Sequence, residues 1–258
     1  MIKKEDIIAD MHAHTTYSKH AFSTVKENID SAKEQGIKFL VVSDHLYQDG
    51  SWSDIVNEYY RIVDCEDRVN PYESGFKVIG SAEFNIGAEV QDKRLLTDLK
   101  WKPIGLHGWF VSAKDIDFCD LFSLYEEAVK EGFNCFVHIE RGLSAINHYK
   151  NGKRLTEEVK DYLEKIVDLA RANDVYLEVN EGSIKDRQFG NYNLMLMEYW
   201  LDYAKEVGCR ISLGSDAHHC SEVGQFNNVL TLLNDVGYPK ELIINCNEKA
   251  LQSLVTCN

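Results

Sequence analysis

The chain has 258 residues, 44% of them apolar and 27% charged, enough to bury a large core without disulfides or structural metals. Lys and Arg total 28 against 42 Asp and Glu, a formal charge of −14 that disfavours a surface built for nucleic-acid backbones or anionic lipid. The longest apolar runs, such as Phe39–Val42, fall far short of the roughly 18 residues of a membrane span, so a soluble protein is expected.

The first apolar run, Ile7–Ala9, leads into Asp10-Met11-His12-Ala13-His14. Thr24 and Glu27 then have capping-box spacing, Val25, Ile29 and Ala32 recur at helical intervals, and Gly36 supplies a stop, which together predict a helix. A second predicted strand, Phe39–Val42, precedes Ser43-Asp44-His45, and a helical pattern covers about Ile55–Asp67. A third, Phe76–Ile79, is followed by Glu83; a fourth, around Ile104–Leu106, by His107. After a helix over Leu121–Glu131 comes Cys135–Val137 with His138 at its end, then a helix over Thr156–Asn173 and a strand at Val175–Val179. The last units are a helix over Leu194–Val207, a strand at Ile211–Leu213 running into Ser215-Asp216-Ala217-His218, and a helix over Glu222–Asp235.

Strand and helix alternation along the whole chain predicts a mainly parallel sheet. Seven strands suit either an open doubly wound sheet or a closed barrel, and periodicity does not choose between them. The three prolines (71, 103 and 239) and the lack of a Ser/Gly-rich linker point to one domain over 1–258. Seven cysteines at 65, 119, 135, 209, 220, 246 and 257 form no Cys-x-x-Cys pair, which fits reduced thiols. The opening MIKKEDIIADM has no signal-peptide pattern, so a cytoplasmic location is expected.

Six of the seven predicted strands are followed by a potential metal ligand. His12-x-His14 matters because alternate strand residues point the same way, so two imidazoles converge on one cation; Asp216-x-His218 repeats the spacing. A mixture of His with Asp and Glu selects Zn, Mn, Fe or similar ions, and a multinuclear hydrolytic centre is the natural reading.

These ordered motifs resemble the PHP (polymerase and histidinol phosphatase) metal-dependent phosphoesterases: H-A-H followed by His20, S-D-H, Glu83, His107, His138 and D-A-H, across nearly the whole chain. The resemblance implies an α/β fold, a distorted seven-stranded (β/α)7 TIM-like barrel of PHP type. It also implies that His12, His14, Glu83 and Asp216 hold one divalent ion, with Glu83 bridging to a second on His107 and His138. A third would sit on His20, His45 and His218. Two or three Zn, Mn or Fe ions would then lower the pKa of a bridging water, making Asp216 and Glu83 central to catalysis.

Asp44 is a candidate for orienting a ligand, for taking part in proton transfer, or for capping a loop. Arg141 and Arg187 are candidates for clamping a substrate phosphate. Tyr17, Ser18 and Lys19 lie between ligands in the first loop, where they touch substrate or shape the turn; Glu178 and Asn180 line the mouth or support its hydrogen bonds. His148 and His219 are read as nonligands, and Trp52, Tyr59, Tyr60, Tyr192, Tyr199 and Trp200 as helix packing. The leading expectation is a phosphoesterase acting on a small phosphomonoester, with histidinol phosphate, and so histidine biosynthesis, favoured because free-standing chains of this size in the family include histidinol phosphatases. A nucleotide or cyclic phosphodiesterase or 3′–5′ nuclease would use the same site, although the net charge argues against extended nucleic acid. An amidohydrolase also opens with H-x-H, but His20, His45, Glu83 and Asp216-x-His218 count against it; a noncatalytic metal-binding module is the other reading. Nothing in the sequence specifies an oligomeric state.

Overall fold

The computed structural model describes residues 1–46, 52–107, 116–144 and 152–255. Seven strands run β1 (Ala9–Ala13), β2 (Phe39–His45), β3 (Lys77–Asn85), β4 (Pro103–Gly105), β5 (Cys135–Phe136), β6 (Tyr176–Asn180) and β7 (Ile211–Gly214). They lie side by side in that order and every adjacent pair is parallel. Helices α1 (Val25–Glu34), α2 (Trp52–Val69), α3 (Arg94–Asp98), α4 (Phe118–Glu131), α5 (Glu157–Ala172), α6 (Glu181–Ile184), α7 (Gly190–Val207), α8 (Asn227–Val236) and α9 (Glu248–Leu254) separate or follow them. A further helical stretch covers 139–144.

The sheet curls until its first and last strands meet, which makes it the TIM-like α/β barrel implied by the resemblance rather than an open sheet. At the mouth the seam is backbone: Asp216 N donates to His12 O and His14 N to Ala217 O, both at 2.9 Å, and Ala13 bridges Ala217. Towards the floor one side chain replaces the ladder. Asn245 accepts from Leu213 N at 2.7 Å through Oδ1 and donates through Nδ2 to Ala9 O and Leu213 O, each at 2.9 Å, while its own carbonyl accepts from Ile8 N.

Period-two alternation sorts the strand side chains. Phe39 and Val41 of β2 join Ala9, Met11, Ile79 and Cys135 in a small cluster inside the barrel, closed below by Ile244 and Leu251; Leu40 and Val42 face the larger core beneath the helices. Continuing the same count puts Ser43 and His45 on the inner face and Asp44 on the outer one. In β3, Ile79 lies inside and Val78, Ala82 and Phe84 outside, so Ser81 and Glu83 face inward. A Cβ on Gly80 would come within 2.5 Å of Ile62 O, so a glycine is what lets α2 lie this close to β3.

The helices follow their local signals. Thr24 caps α1 with the predicted capping box on Glu27, and Thr156 accepts from Val159 N at the start of α5. Gly36 takes φ +81 after α1, and Gly132 and Gly208 are left-handed caps of α4 and α7. The last long predicted helix starts later than expected, at Asn227 rather than Glu222. Glu222 instead sits in a 3-10 turn, where its carboxylate accepts from the amides of His218 and His219 at 3.1 and 3.3 Å. The described cysteines, all but Cys257, are free. Among the described residues no helix is long and apolar enough to cross a membrane.

Candidate metal centre

The barrel mouth gathers all nine predicted ligands. β1 delivers His12, with His14 one residue past its end; the register of β1 on β2 shifts between Asp10 and Ala13. In-register pairing of His45 with Glu83 across β2 and β3 sets His45 Nδ1 2.9 Å from Glu83 Oε2. The other Glu83 oxygen faces His138 Nε2 at 2.6 Å and His107 Nε2 at 3.0 Å. From β7, Asp216 Oδ1 lies 3.2 Å from His14 Nε2 and 3.7 Å from His12 Nε2. His20 and His218 complete the rim, Nε2 to Nε2 at 2.8 Å. Three groups have ligand atoms close enough to share an ion: His12, His14 and Asp216; His45, Glu83 and His107; and His14, His45 and His218.

Proton accounting tests whether cations fit. His12 Nδ1 lies 2.7 Å from Glu178 Oε1, an acceptor, so it carries the hydrogen and Nε2 is left with a lone pair. Ser18 donates its hydroxyl to Asp44 Oδ1 at 2.8 Å, so its oxygen accepts from His14 Nδ1, also at 2.8 Å. His14 Nε2 is then a lone pair too, and it faces His12 Nε2 at 3.0 Å. His218 repeats the pattern, with Nδ1 donating to the Asp216 carbonyl at 2.9 Å and Nε2 turned to His20. Lone pairs so opposed need a proton or a cation between them, and this set of imidazoles and carboxylates suits divalent ions of the Zn, Mn or Fe kind.

Burial and neighbouring charges shift these groups in opposite directions. Burial by itself would lower His12, but Glu178, Glu83 and Asp216 together raise it well above the usual imidazole value. His14 goes the other way: burial, with the charge of His12 adding to it, pushes it down to about 3. Burial likewise works against ionisation of Glu83 and Asp216, yet His107, His12 and His45 around the former, and Arg141, His12 and His14 around the latter, hold both well below the carboxylate range.

Two of the predicted ligands sit on unusual backbone: His138 has φ +35 and Asp216 φ +55, conformations that cost energy for residues with a side chain and that cluster at functional sites. Two glycines clear room for the rings. A Cβ on Gly214 would lie 2.1 Å from Glu178 Oε1 and 2.6 Å from His12 Cβ, and one on Gly105 would lie 2.6 Å from His138 Cε1.

The remaining candidates separate by contact. Arg141 reaches the cluster, donating from NH1 to Asp216 Oδ2 at 2.7 Å, while its buried Nε has no partner among the described residues. Arg187 is exposed and lines a cavity of about 420 Å³ with Lys153, Asp186 and Tyr192, none of which is a ligand. Asp44 is fully buried on the outer face of β2, both oxygens engaged by Thr15, Ser18 and Arg61, so it braces the first loop and does not reach the cluster. Glu178 binds His12 and also accepts from His138 N at 3.1 Å and from Asn180 Nδ2 at 2.9 Å, tying two strands to one carboxylate. Tyr17 is exposed and Ser18 buried. His219 turns to Ser221, its Nδ1 2.9 Å from the hydroxyl. The readings of His148 and of the Trp52 side chain lie outside the described residues. Sequence reasoning missed Arg61, whose only signal was helical spacing on α2, and Asp10, a buried acceptor for the amides of Ser215 and Gly224.

Residues 10–182 match the PHP domain family. The chain belongs to that family. Over 248 residues it is 27% identical to a probable phosphatase of Caldanaerobacter subterraneus, covering 93% of this chain and 87% of the relative. Among solved structures it resembles the histidinol phosphate phosphatase of Lactococcus lactis complexed with Zn, L-histidinol and phosphate, at 15% identity and a TM-score of 0.61, covering 90% of this chain and 95% of that one. It also resembles the metal-dependent tyrosine phosphatases YwqE of Bacillus subtilis and CpsB of Streptococcus pneumoniae, at 15% identity, a TM-score of 0.56 and coverage of 97% and 96%. The expected family is thereby borne out, as is the barrel; the chain is a PHP-family hydrolase of the phosphatase kind.

Proposed function

We propose that this enzyme hydrolyses a small phosphomonoester at the barrel mouth, using two or three divalent ions held by His12, His14, His20, His45, Glu83, His107, His138, Asp216 and His218, with histidinol phosphate the first substrate to try. The observation that carries this reading is the pair of opposed imidazole lone pairs, His12 against His14, beside two carboxylates held ionised, with the His218 Nε2 turned to His20 at the rim. Bound ions would supply the Lewis acidity that activates water and neutralises phosphate charge. The chain's own part is positioning. Glu178 fixes the His12 tautomer, Glu83 spans the rings of β2, β4 and β5, and Arg141 presents a spare buried donor beside Asp216 to which a phosphate oxygen can bind. The acidic surface is compatible with a small anion because the local field would be set by cations and Arg141 rather than by net charge.

The test is inorganic phosphate release by Mn- or Zn-loaded protein from L-histidinol phosphate, nucleoside mono- and bisphosphates and an aryl phosphate, beside Asp216→Ala. Release from histidinol phosphate alone, lost in the variant, supports the full reading and a place in histidine biosynthesis. Release from other esters keeps the chemistry and discards that substrate. No release from any ester by metal-loaded protein sinks the proposal.

A further inference from the structure

The ligand His14 is held by a chain of polar contacts that begins outside the barrel. Ser18 Oγ accepts from two sides, His14 Nδ1 at 2.8 Å and His45 N at 3.1 Å, and spends its hydrogen on Asp44 Oδ1. Asp44 Oδ1 also accepts from Thr15 N at 2.6 Å, and Oδ2 from Thr15 Oγ1 at 2.7 Å and Arg61 NH1 at 3.0 Å. Arg61 belongs to α2, and its guanidinium lies 4.3 Å from the ring centroid of Tyr17, in the same loop as Ser18 and His20. His14, Ser18 and Asp44 are fully buried.

The direction of each hydrogen follows from the residue at the end. A carboxylate only accepts, so the Ser18 hydroxyl points to Asp44, and a hydroxyl so committed can only accept from His14. The hydrogen of His14 therefore sits on Nδ1 and the lone pair on Nε2, the atom that faces His12 and Asp216. In Asp44→Asn the side-chain amide could donate to Ser18, and the hydroxyl could then donate to His14 Nδ1. The ring would flip its hydrogen to Nε2 and lose the lone pair a cation needs. A carboxylate next to a ligating histidine is a common device for fixing tautomer and ring orientation. Here a serine is interposed, and an arginine outside the barrel holds the carboxylate.

We infer that Asp44, Ser18 and Arg61 are positioning residues that set the tautomer of His14 and clamp the first loop, so that binding of divalent cations at the mouth depends on α2. The inference rests on reading the mouth histidines as metal ligands. Arg61 acts from farthest away, gripping Asp44 by charge and Tyr17 by stacking.

The test compares metal-free wild type with Asp44→Asn, Ser18→Ala, Ser18→Thr, Arg61→Met and Arg61→Lys. Zn(II) and Mn(II) affinities are measured by competition with a chromophoric chelator, and histidine tautomers by long-range ¹H–¹⁵N NMR on ¹⁵N-histidine protein. The expected result is an Nδ1-H tautomer for His14 in wild type, lost in Asp44→Asn. Affinity should fall 10–100-fold in Asp44→Asn and Ser18→Ala, less in Arg61→Met, and recover in Ser18→Thr. Arg61→Met alters only the outer end of the chain, so it keeps the inference open to test should the buried variants fail to fold. Wild-type affinity and an unchanged His14 tautomer in folded Asp44→Asn and Ser18→Ala would overturn it. Failure of the wild type itself to bind either ion would overturn the metal-centre reading and this inference with it, a result distinct from cation binding without phosphatase activity, which would leave the inference standing.

Discussion

The two sides of the proposed metal centre are built differently. At the inner side His12, His14, Glu83, His138 and Asp216 come from strands or their ends and all are buried, braced by Glu178 and by neighbouring backbone. At the outer side His20 is exposed and His218 has 26% of its side chain open to solvent; both lie in loops. Strand pairing and burial fix the inner residues, whereas the outer pair is carried by loops and is open to solvent. The difference teaches that the centre is graded: inner ions should be bound first and lost last, and an outer ion should exchange with solvent.

Replacing an inner ligand attacks the stronger side and should have the largest effect. Glu83→Gln removes the carboxylate that serves His45, His107 and His138, and should lower kcat/KM by more than about 100-fold, beyond the usual cost of losing an outer-sphere partner. Bound metal per chain, measured by elemental analysis, should fall with it. Glu178→Gln leaves every ligand in place but removes the acceptor for His12 Nδ1; metal affinity should drop roughly 10–100-fold, read by chelator competition. Gly214→Ala drives a methyl into Glu178 and His12, so thermal unfolding should show a loss of about 1–3 kcal/mol together with weaker metal binding. The smallest effect sharpens the comparison. His218→Ala should release one ion per chain while the inner ions stay bound, and a weak chelator should strip wild type in two phases, the faster matching the ion that His218→Ala lacks. Equal losses from Glu83→Gln and His218→Ala, or a single phase, would break the graded picture.

Much of this centre was legible in the sequence because metal ligation selects a few residue types and barrels place them after strands. The strand limits were less legible. β1 was expected at Ile7–Ala9 and is Ala9–Ala13, and β2 runs three residues past Val42 to His45, because a strand lining a metal site carries polar side chains that apolar runs do not count. The two-residue period was the unused signal: counted on from Phe39 and Val41, it separates inward His45 from outward Asp44. Short elements such as α3, α6 and α9, and the helical residues 139–144, carry too few turns for a periodic pattern. A supporting role for Glu178 was legible from its place at the end of β6, but its partner was not, and Arg61 was missed altogether, because a contact such as that between His12 and Glu178 spans 166 positions and leaves no local trace.

The seam between β1 and β7 has a further consequence for how the protein comes into being on the ribosome. His12 and His14 precede Asp216 and His218 by 204 positions, and the side chain that stitches the lower seam, Asn245, comes later still. A growing chain can lay down β1 to β6 in sequence, each against its predecessor, but the ring cannot shut, and Asp216 and His218 cannot reach His14 and His20, until β7 and Asn245 have left the exit tunnel. The His45, Glu83 and His107 group can assemble once β4 is in place, whereas the two groups that need Asp216 or His218 wait for the ring to shut, so closure of the barrel and completion of the proposed centre are one event.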